Sequence, residues 1–140
     1  MTDVLLKEVR QDLKRLKLND MGAALDQALE DAAKNRDGYL TFFADLVKKQ
    51  VLAVNSRSLE RRIKKAGFPE ILTFETFDWG FQPGLNVEYV KDLAQLGFVE
   101  KHQPLLILGK TGTGKTHLAT AFGIRACEAR YRVKFYRAQD

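Results

Sequence analysis

Leu6, Val9, Leu13 and Leu16 recur at spacings of three, four and three, which gathers them on one face of a helix beginning near Thr2 or Asp3. Such a face needs an apolar partner. "LND" at 18–20 offers a turn and an N-cap, after which Ala24, Leu25, Ala28, Leu29 and Ala32 form the apolar face of a second helix. "NRDG", Asn35 to Gly38, reads as the next turn. From Leu40 to about Ala66 neither Gly nor Pro interrupts the chain, and Phe43, Val47, Val51 and Val54, then Leu59 and Ile63, keep helical spacing. Gly67 and Pro69 supply the stop. A helix of that length would run roughly 40 Å.

The pattern then changes. Residues 67–104 are aromatic-rich and contain all three prolines, as expected of a lead-in folded against a following domain. Phe74, Phe77, Trp79 and Phe81 suggest one wall of an extended segment that contributes core contacts. "NVEYVKDLAQLGF" predicts a short helix with Asn86 as N-cap and Val87, Val90, Leu93 and Leu96 on its inner face. "LLIL" at 105–108 is a continuous apolar run of the kind a buried parallel strand shows. "THLATAFGIRAC" follows with Leu118, Phe122 and Ala126 at spacings of four, a helix packed on a sheet, and "RVKFY" at 132–136 predicts a second strand. The organisation expected is a helical domain over 1–66, a lead-in over 67–104 and an α/β core over 105–140.

Charge sharpens this division. Residues 1–44 carry 7 bases and 8 acids, 45–66 carry 7 and 2, 67–104 carry 2 and 6, and 105–140 carry 7 and 2, so the net +5 is concentrated in two blocks. In the first basic block, Arg57, Arg61, Lys64 and Lys65 fall largely on one helix side, with Arg62 beside them. Two readings stand: a phosphate-backbone contact for DNA without base-specific readout, or a solvated face whose last-turn cations complement the helix dipole. The single cysteine, Cys127, excludes an internal disulfide and lies amid small and apolar residues, where packing is its expected role. No apolar run approaches the ~20 residues of a membrane span, and the N-terminus lacks a signal peptide's pattern, so a cytoplasmic location is expected.

The chemistry concentrates in "GKTGTGKT", Gly109 to Thr116, which matches G-x-x-x-x-G-K-[ST] between the expected strand and helix. Gly109, Gly112 and Gly114 let the backbone bend so that successive amides of Lys110, Thr111 and Thr113 can point inward at phosphate oxygens. Lys115 adds a flexible point charge, and Thr116 offers its hydroxyl to Mg2+ at a helix N-terminus that itself favours anions. His117 belongs to the same stretch and reads as a helix residue packed beside the loop, with no catalytic role. His102 is isolated and suggests nothing.

With these residues in hand, the chain resembles the IstB-like ATP-binding proteins, helper ATPases of insertion-sequence transposition close to the DnaC helicase loaders within the AAA+ class. "MGAALDQALE", "LERRIKKAGFPEILTFETFDWGFQPGLN" and "LAQLGFVEKHQPLLILGKTGTGKTHLA" follow that family's layout in order. The resemblance implies an α/β P-loop fold of AAA+ type with sheet order 5-1-4-3-2, binding of ATP with Mg2+, and DNA, a transposase and further copies of the family as partners. It also makes Phe77 and Phe81 candidates for enclosing the adenine, and it favours DNA contact for Arg57, Arg61, Arg62, Lys64 and Lys65. A helicase loader, a nucleotide-independent interaction module and an inactive relic are the alternatives.

Two departures from the family's pattern follow from the same resemblance. Arg130 stands before Tyr131 where the family usually has Gly, costing roughly 1 kcal/mol if that position is left-handed. The Walker B carboxylate, the water-positioning residue and the arginine finger needed for hydrolysis are placed by the family beyond the second strand, and Asp140 is no substitute. The chain is therefore expected to be the N-terminal part of such a helper, with no catalytic residue of its own.

Overall fold

The computed structural model describes residues 2–138, so Asp140 lies outside the described residues. Six helices follow in order: α1 (Thr2–Arg15), α2 (Asn19–Asn35), α3 (Tyr39–Ala66), α4 (Val87–Leu93), α5 (Gly97–Glu100) and α6 (Lys115–Glu128). They divide into two compact units, one ending at Ser58 and the other beginning at Leu59, so the division falls inside α3. None of the described helices is long and apolar enough to cross a membrane.

In the first unit Met21, Leu25, Ala28 and Leu46 are buried, with Leu6, Leu13, Phe42 and Val47 packed around them. Only part of each expected face is used. Val9 of α1 and Leu16 just beyond its end remain exposed, as do Phe43, Val51 and Val54 of α3. The inward line of α3 runs instead through Phe42, Leu46 and Gln50, four residues apart. Gln50 is buried because both ends of its amide are satisfied: its Oε1 accepts from the Met21 N–H at 3.0 Å, and its Nε2 donates to Asp20 at 2.9 Å. Arg57 donates to both Asp20 carboxylate oxygens, at 2.9 and 2.7 Å. Asp20 thus closes a network across α2 and α3 instead of capping its helix, whose N-cap position is Leu18 with no side-chain bond.

Bonding to Arg57, helped by Gln50, holds the Asp20 carboxyl below the ordinary aspartate range. A carboxyl lowered in the folded state stabilises fully above its unfolded value, near pH 4, and loses that contribution as pH falls through the folded value. Thermal melting should therefore show Asp20→Asn less stable than the unaltered chain at pH 7, with the difference shrinking by pH 3. A difference constant across that range would remove Asp20 as the source.

The second unit is organised around α6, where Leu118, Thr120, Ala121, Phe122, Ile124, Ala126 and Cys127 are all buried. Leu118 and Phe122 take the lead-in aromatics: Phe74, Phe77 and Val90 share one core with them, and Phe74 meets Phe122 edge-on at 5.0 Å. The lead-in is a succession of turns, not an extended wall, with Phe77 N–H bonded to Phe74 and Phe81 N–H to Asp78. Asn86 caps α4 as expected, accepting from Tyr89 N–H at 3.1 Å. Elsewhere along α6, Phe68 comes so close that a Cβ at Gly123 would sit 2.7 Å from its ring. Arg62 Nε donates to the Cys127 carbonyl at 2.8 Å near the end of α6. Cys127 itself is fully buried, which pushes its thiol up and makes it a poor nucleophile.

Residues 105–108 and 132–136 form no strand, and the described residues contain no sheet, so the α/β expectation is met in its helices and loop alone. A strand is defined by its ladder partner, and neither segment has one among the described residues. Side-chain burial nevertheless alternates as in a half-covered strand: Leu105 and Ile107 pack on the core while Leu106 and Leu108 are about 80% exposed. Phe135 N–H instead bonds the Ala66 carbonyl at the end of α3, at 2.8 Å.

Arg130 does adopt the left-handed conformation, with φ 69°. Its N–H bonds Cys127 and the next N–H bonds Ala126, closing α6 in a Schellman motif that normally takes Gly. Arg130→Gly should raise the unfolding free energy by about 1 kcal/mol, read by urea denaturation. An unchanged midpoint would mean that the strain is absorbed elsewhere.

Candidate phosphate-binding loop

Residues 109–114 form the turn between the apolar segment 105–108 and α6, which begins at Lys115. Gly112 and Gly114 have φ of +78° and +87°, the backbone region that glycine enters without steric cost. Around Gly112 a Cβ would meet nothing within 4 Å, whereas at Gly114 it would lie 3.1 Å from the Phe77 ring. The two glycines therefore serve different ends, one opening the loop outward and the other letting it rest on the lead-in. At Gly109 the constraint is a neighbour, since a Cβ there would lie 2.9 Å from Thr113 Oγ1.

The Lys110 carbonyl is the loop's internal anchor. It accepts from Thr113 Oγ1 at 2.8 Å and from Lys115 Nζ at 2.5 Å, so the lysine is folded back over the turn that a phosphate would enter. A cleft of about 420 Å³ opens along residues 111–117, bordered by Phe81. A second, of about 210 Å³, lies beside Gly109, Thr113 and Lys115 and is bordered by Gln82, Gly84 and Leu85. Thr116 is exposed in the first cleft. The open, positively charged turn at the start of a 14-residue helix fits a polyphosphate with Mg2+: first-turn amides, Lys115 and the Thr116 hydroxyl would hold it.

The lead-in supplies the neighbours that sequence spacing left undecided. Phe81 is 57% exposed and borders the cleft, a position from which it can face a bound base. Phe77 is 7% exposed and packs beneath Gly114 and against Trp79, so it is a floor for the loop instead of a wall for the adenine. His117 sits beside the loop as expected, bonded through Nε2 to the Thr73 carbonyl at 2.8 Å. His102 occupies a left-handed cap after α5, with φ 54°.

The proposed DNA-contact residues are not equivalent. Arg57 is committed to Asp20 in the first unit, and Arg62 donates to the Cys127 carbonyl in the second. Arg61, Lys64 and Lys65 are exposed. Lys134, which the sequence placed about 70 residues away, reaches the Lys65 carbonyl at 3.4 Å and so joins the end of α3.

The model of the family described as IstB-like ATP binding protein matches residues 11–140. A protein of Pseudomonas aeruginosa named for insertion sequence IS21 and for ATP binding is 38% identical over 130 residues, covering 93% of this chain and 49% of its own length. Relatives named in the same way for IS232 of Bacillus thuringiensis and IS5376 of Geobacillus stearothermophilus are 28% and 29% identical, each over 96% of this chain and 54% and 53% of their own lengths. The chain thus spans about half the length of these relatives.

Proposed function

This chain belongs to the IstB-like ATP-binding protein family, and from that premise we propose that it binds Mg-ATP through Gly109–Thr116 as part of a helper for DNA transposition. The observation that carries the reading is the loop itself: two left-handed glycines, an inward-folded Lys115 and an exposed Thr116 at the first turn of α6.

In this reading Lys115 exchanges the Lys110 carbonyl for phosphate oxygens, a charge-assisted contact in place of one to a neutral acceptor. Thr113 keeps its bond to Lys110, so the loop retains its shape while the lysine moves. The Thr116 hydroxyl, exposed at the first turn of α6, would hold Mg2+ when it accompanies the nucleotide. Phe81 faces the base. Nucleotide binding is the activity this reading assigns to Gly109–Thr116.

Thermal melting in the presence of Mg-ATP, inorganic triphosphate and adenosine tests this. A ligand at a hundred times its dissociation constant stabilises by about 2.7 kcal/mol. Mg-ATP and triphosphate should both raise the midpoint and adenosine should not; stabilisation by adenosine alone would contradict a phosphate-led site.

The same reading assigns DNA phosphate contact to Arg61, Lys64, Lys65 and Lys134, which share the end of α3, with a transposase and further copies as the partners of the whole helper. Duplex binding followed by fluorescence anisotropy should weaken with salt at a log-log slope of roughly −0.9 per phosphate neutralised, and Lys64→Ala should make the slope shallower by about one. Salt-independent binding, or none, would leave these cations as dipole partners of α3.

A further inference from the structure

The third residue of α6 is bonded to a turn more than forty positions earlier. His117 Nε2 lies 2.8 Å from the Thr73 carbonyl and 3.3 Å from Thr76 Oγ1. A carbonyl can only accept, so Nε2 carries the proton, and Thr76 Oγ1, which itself donates to the Thr73 carbonyl at 3.2 Å, offers a second acceptor. The turn is closed from within as well: Thr73 N–H donates to Thr76 Oγ1 at 3.2 Å, and Thr76 N–H to Thr73 Oγ1 at 3.3 Å. His117 therefore grips a turn already braced.

A second connection runs in parallel. The His117 ring meets Phe77 edge-on at 5.1 Å, Phe77 meets Trp79 edge-on at 4.9 Å, and Phe77 is the ring against which Gly114 rests. The loop's last glycine and the first turn of α6 are thus both fastened to residues 73–79. Beyond that stretch lie Phe81 and Gln82, which border the two clefts at the loop.

We propose that His117 is a positioning residue that couples the phosphate loop to the lead-in, so that filling the loop shifts the turn Thr73–Phe77 and with it the surroundings of Trp79. This rests on the nucleotide-binding reading above. The physical reason is that a phosphate drawn onto the amides of residues 114–117 engages the backbone segment that carries the His117 ring. Close-packed aromatic contacts transmit such a displacement because they have no slack to absorb it. The lead-in then responds to the filled loop, and the side of the site meant for the base is set by the side that holds the phosphates.

Trp79 is the only tryptophan in the chain, so its emission reports on the lead-in without labelling. Mg-ATP is titrated into the full chain while Trp79 fluorescence and calorimetric heat are followed in parallel. The unaltered chain should bind with a saturable change in Trp79 emission. His117→Leu should weaken binding by about five- to tenfold, the scale of one lost hydrogen bond, and abolish the emission change even at saturation. His117→Gln, whose side-chain amide can still donate to the Thr73 carbonyl, should restore much of both.

Calorimetric binding by the unaltered chain without any Trp79 change overturns the coupling and leaves the nucleotide reading standing. A full Trp79 response in His117→Leu overturns it as well. No calorimetric binding by the unaltered chain overturns both. If His117→Leu loses its helical circular dichroism, Thr76→Val keeps the side-chain shape while removing the hydroxyl, and should show the same loss of emission change; a full response in Thr76→Val overturns the proposal.

Discussion

Lys115→Ala is expected to weaken Mg-ATP binding by on the order of a hundredfold, at unchanged helical content. Truncating one partner of a charge-assisted contact costs about 2–5 kcal/mol, each 1.4 kcal/mol being a factor of ten. The fold should tolerate the loss, because the Lys115 ammonium group bonds the Lys110 carbonyl alone among the described residues, and Thr113 Oγ1 continues to occupy that acceptor. Calorimetric titration with circular dichroism beside it separates the two effects. A weakening of less than about threefold would mean that the ammonium group does not reach the phosphates.

The second large effect concerns Gly114, and it should appear in stability before binding. At φ +87° any L-residue is strained by about 1–2 kcal/mol. A Cβ would also sit 3.1 Å from a Phe77 ring held between Trp79 and His117. Overpacking of this kind costs about 1–3 kcal/mol, so Gly114→Ala should lose about 2–5 kcal/mol in all, measured by urea denaturation. Gly112→Ala is the contrast. It has a similar φ but open space around the new methyl group, so it should lose only about 1–2 kcal/mol while projecting into the phosphate approach. Equal destabilisation by the two substitutions would contradict the seating of the loop on Phe77.

What was legible in the sequence was whatever is encoded locally. The helix boundaries near Thr2, Asn19 and Ala66, the Asn86 cap and the loop at 109–116 all appear where residue chemistry placed them. The misjudged features depend on distant partners. Of Phe43, Val47, Val51 and Val54, which keep helical spacing, Val47 packs on the core while the others stay exposed; the Met21 amide and Asp20, about thirty positions away, show why Gln50 is buried on the inward line instead. Arg57 and Arg62, two of the five cations considered for DNA contact, also have partners 37 and 65 positions away that spacing does not reveal. Gly123 carried a signal that could have been used, since a glycine in the middle of a helix marks a close approach, here by Phe68.

The two expected strands fail for a different cause. Their apolar, alternating residues are suited to a sheet, but a strand needs a ladder partner, and neither segment has one among the described residues. Phe77 and Phe81 were indistinguishable by spacing. Only the turns of the lead-in, which send one ring beneath Gly114 and leave the other beside the cleft, separate their roles.

The most direct test of the central claim is a calorimetric titration of Mg-ATP into the purified 140-residue chain. The loop geometry predicts saturable binding at one site per chain, absent when adenosine replaces the nucleotide. A chain with the helical circular dichroism of α1–α6 that takes up no Mg-ATP would contradict it.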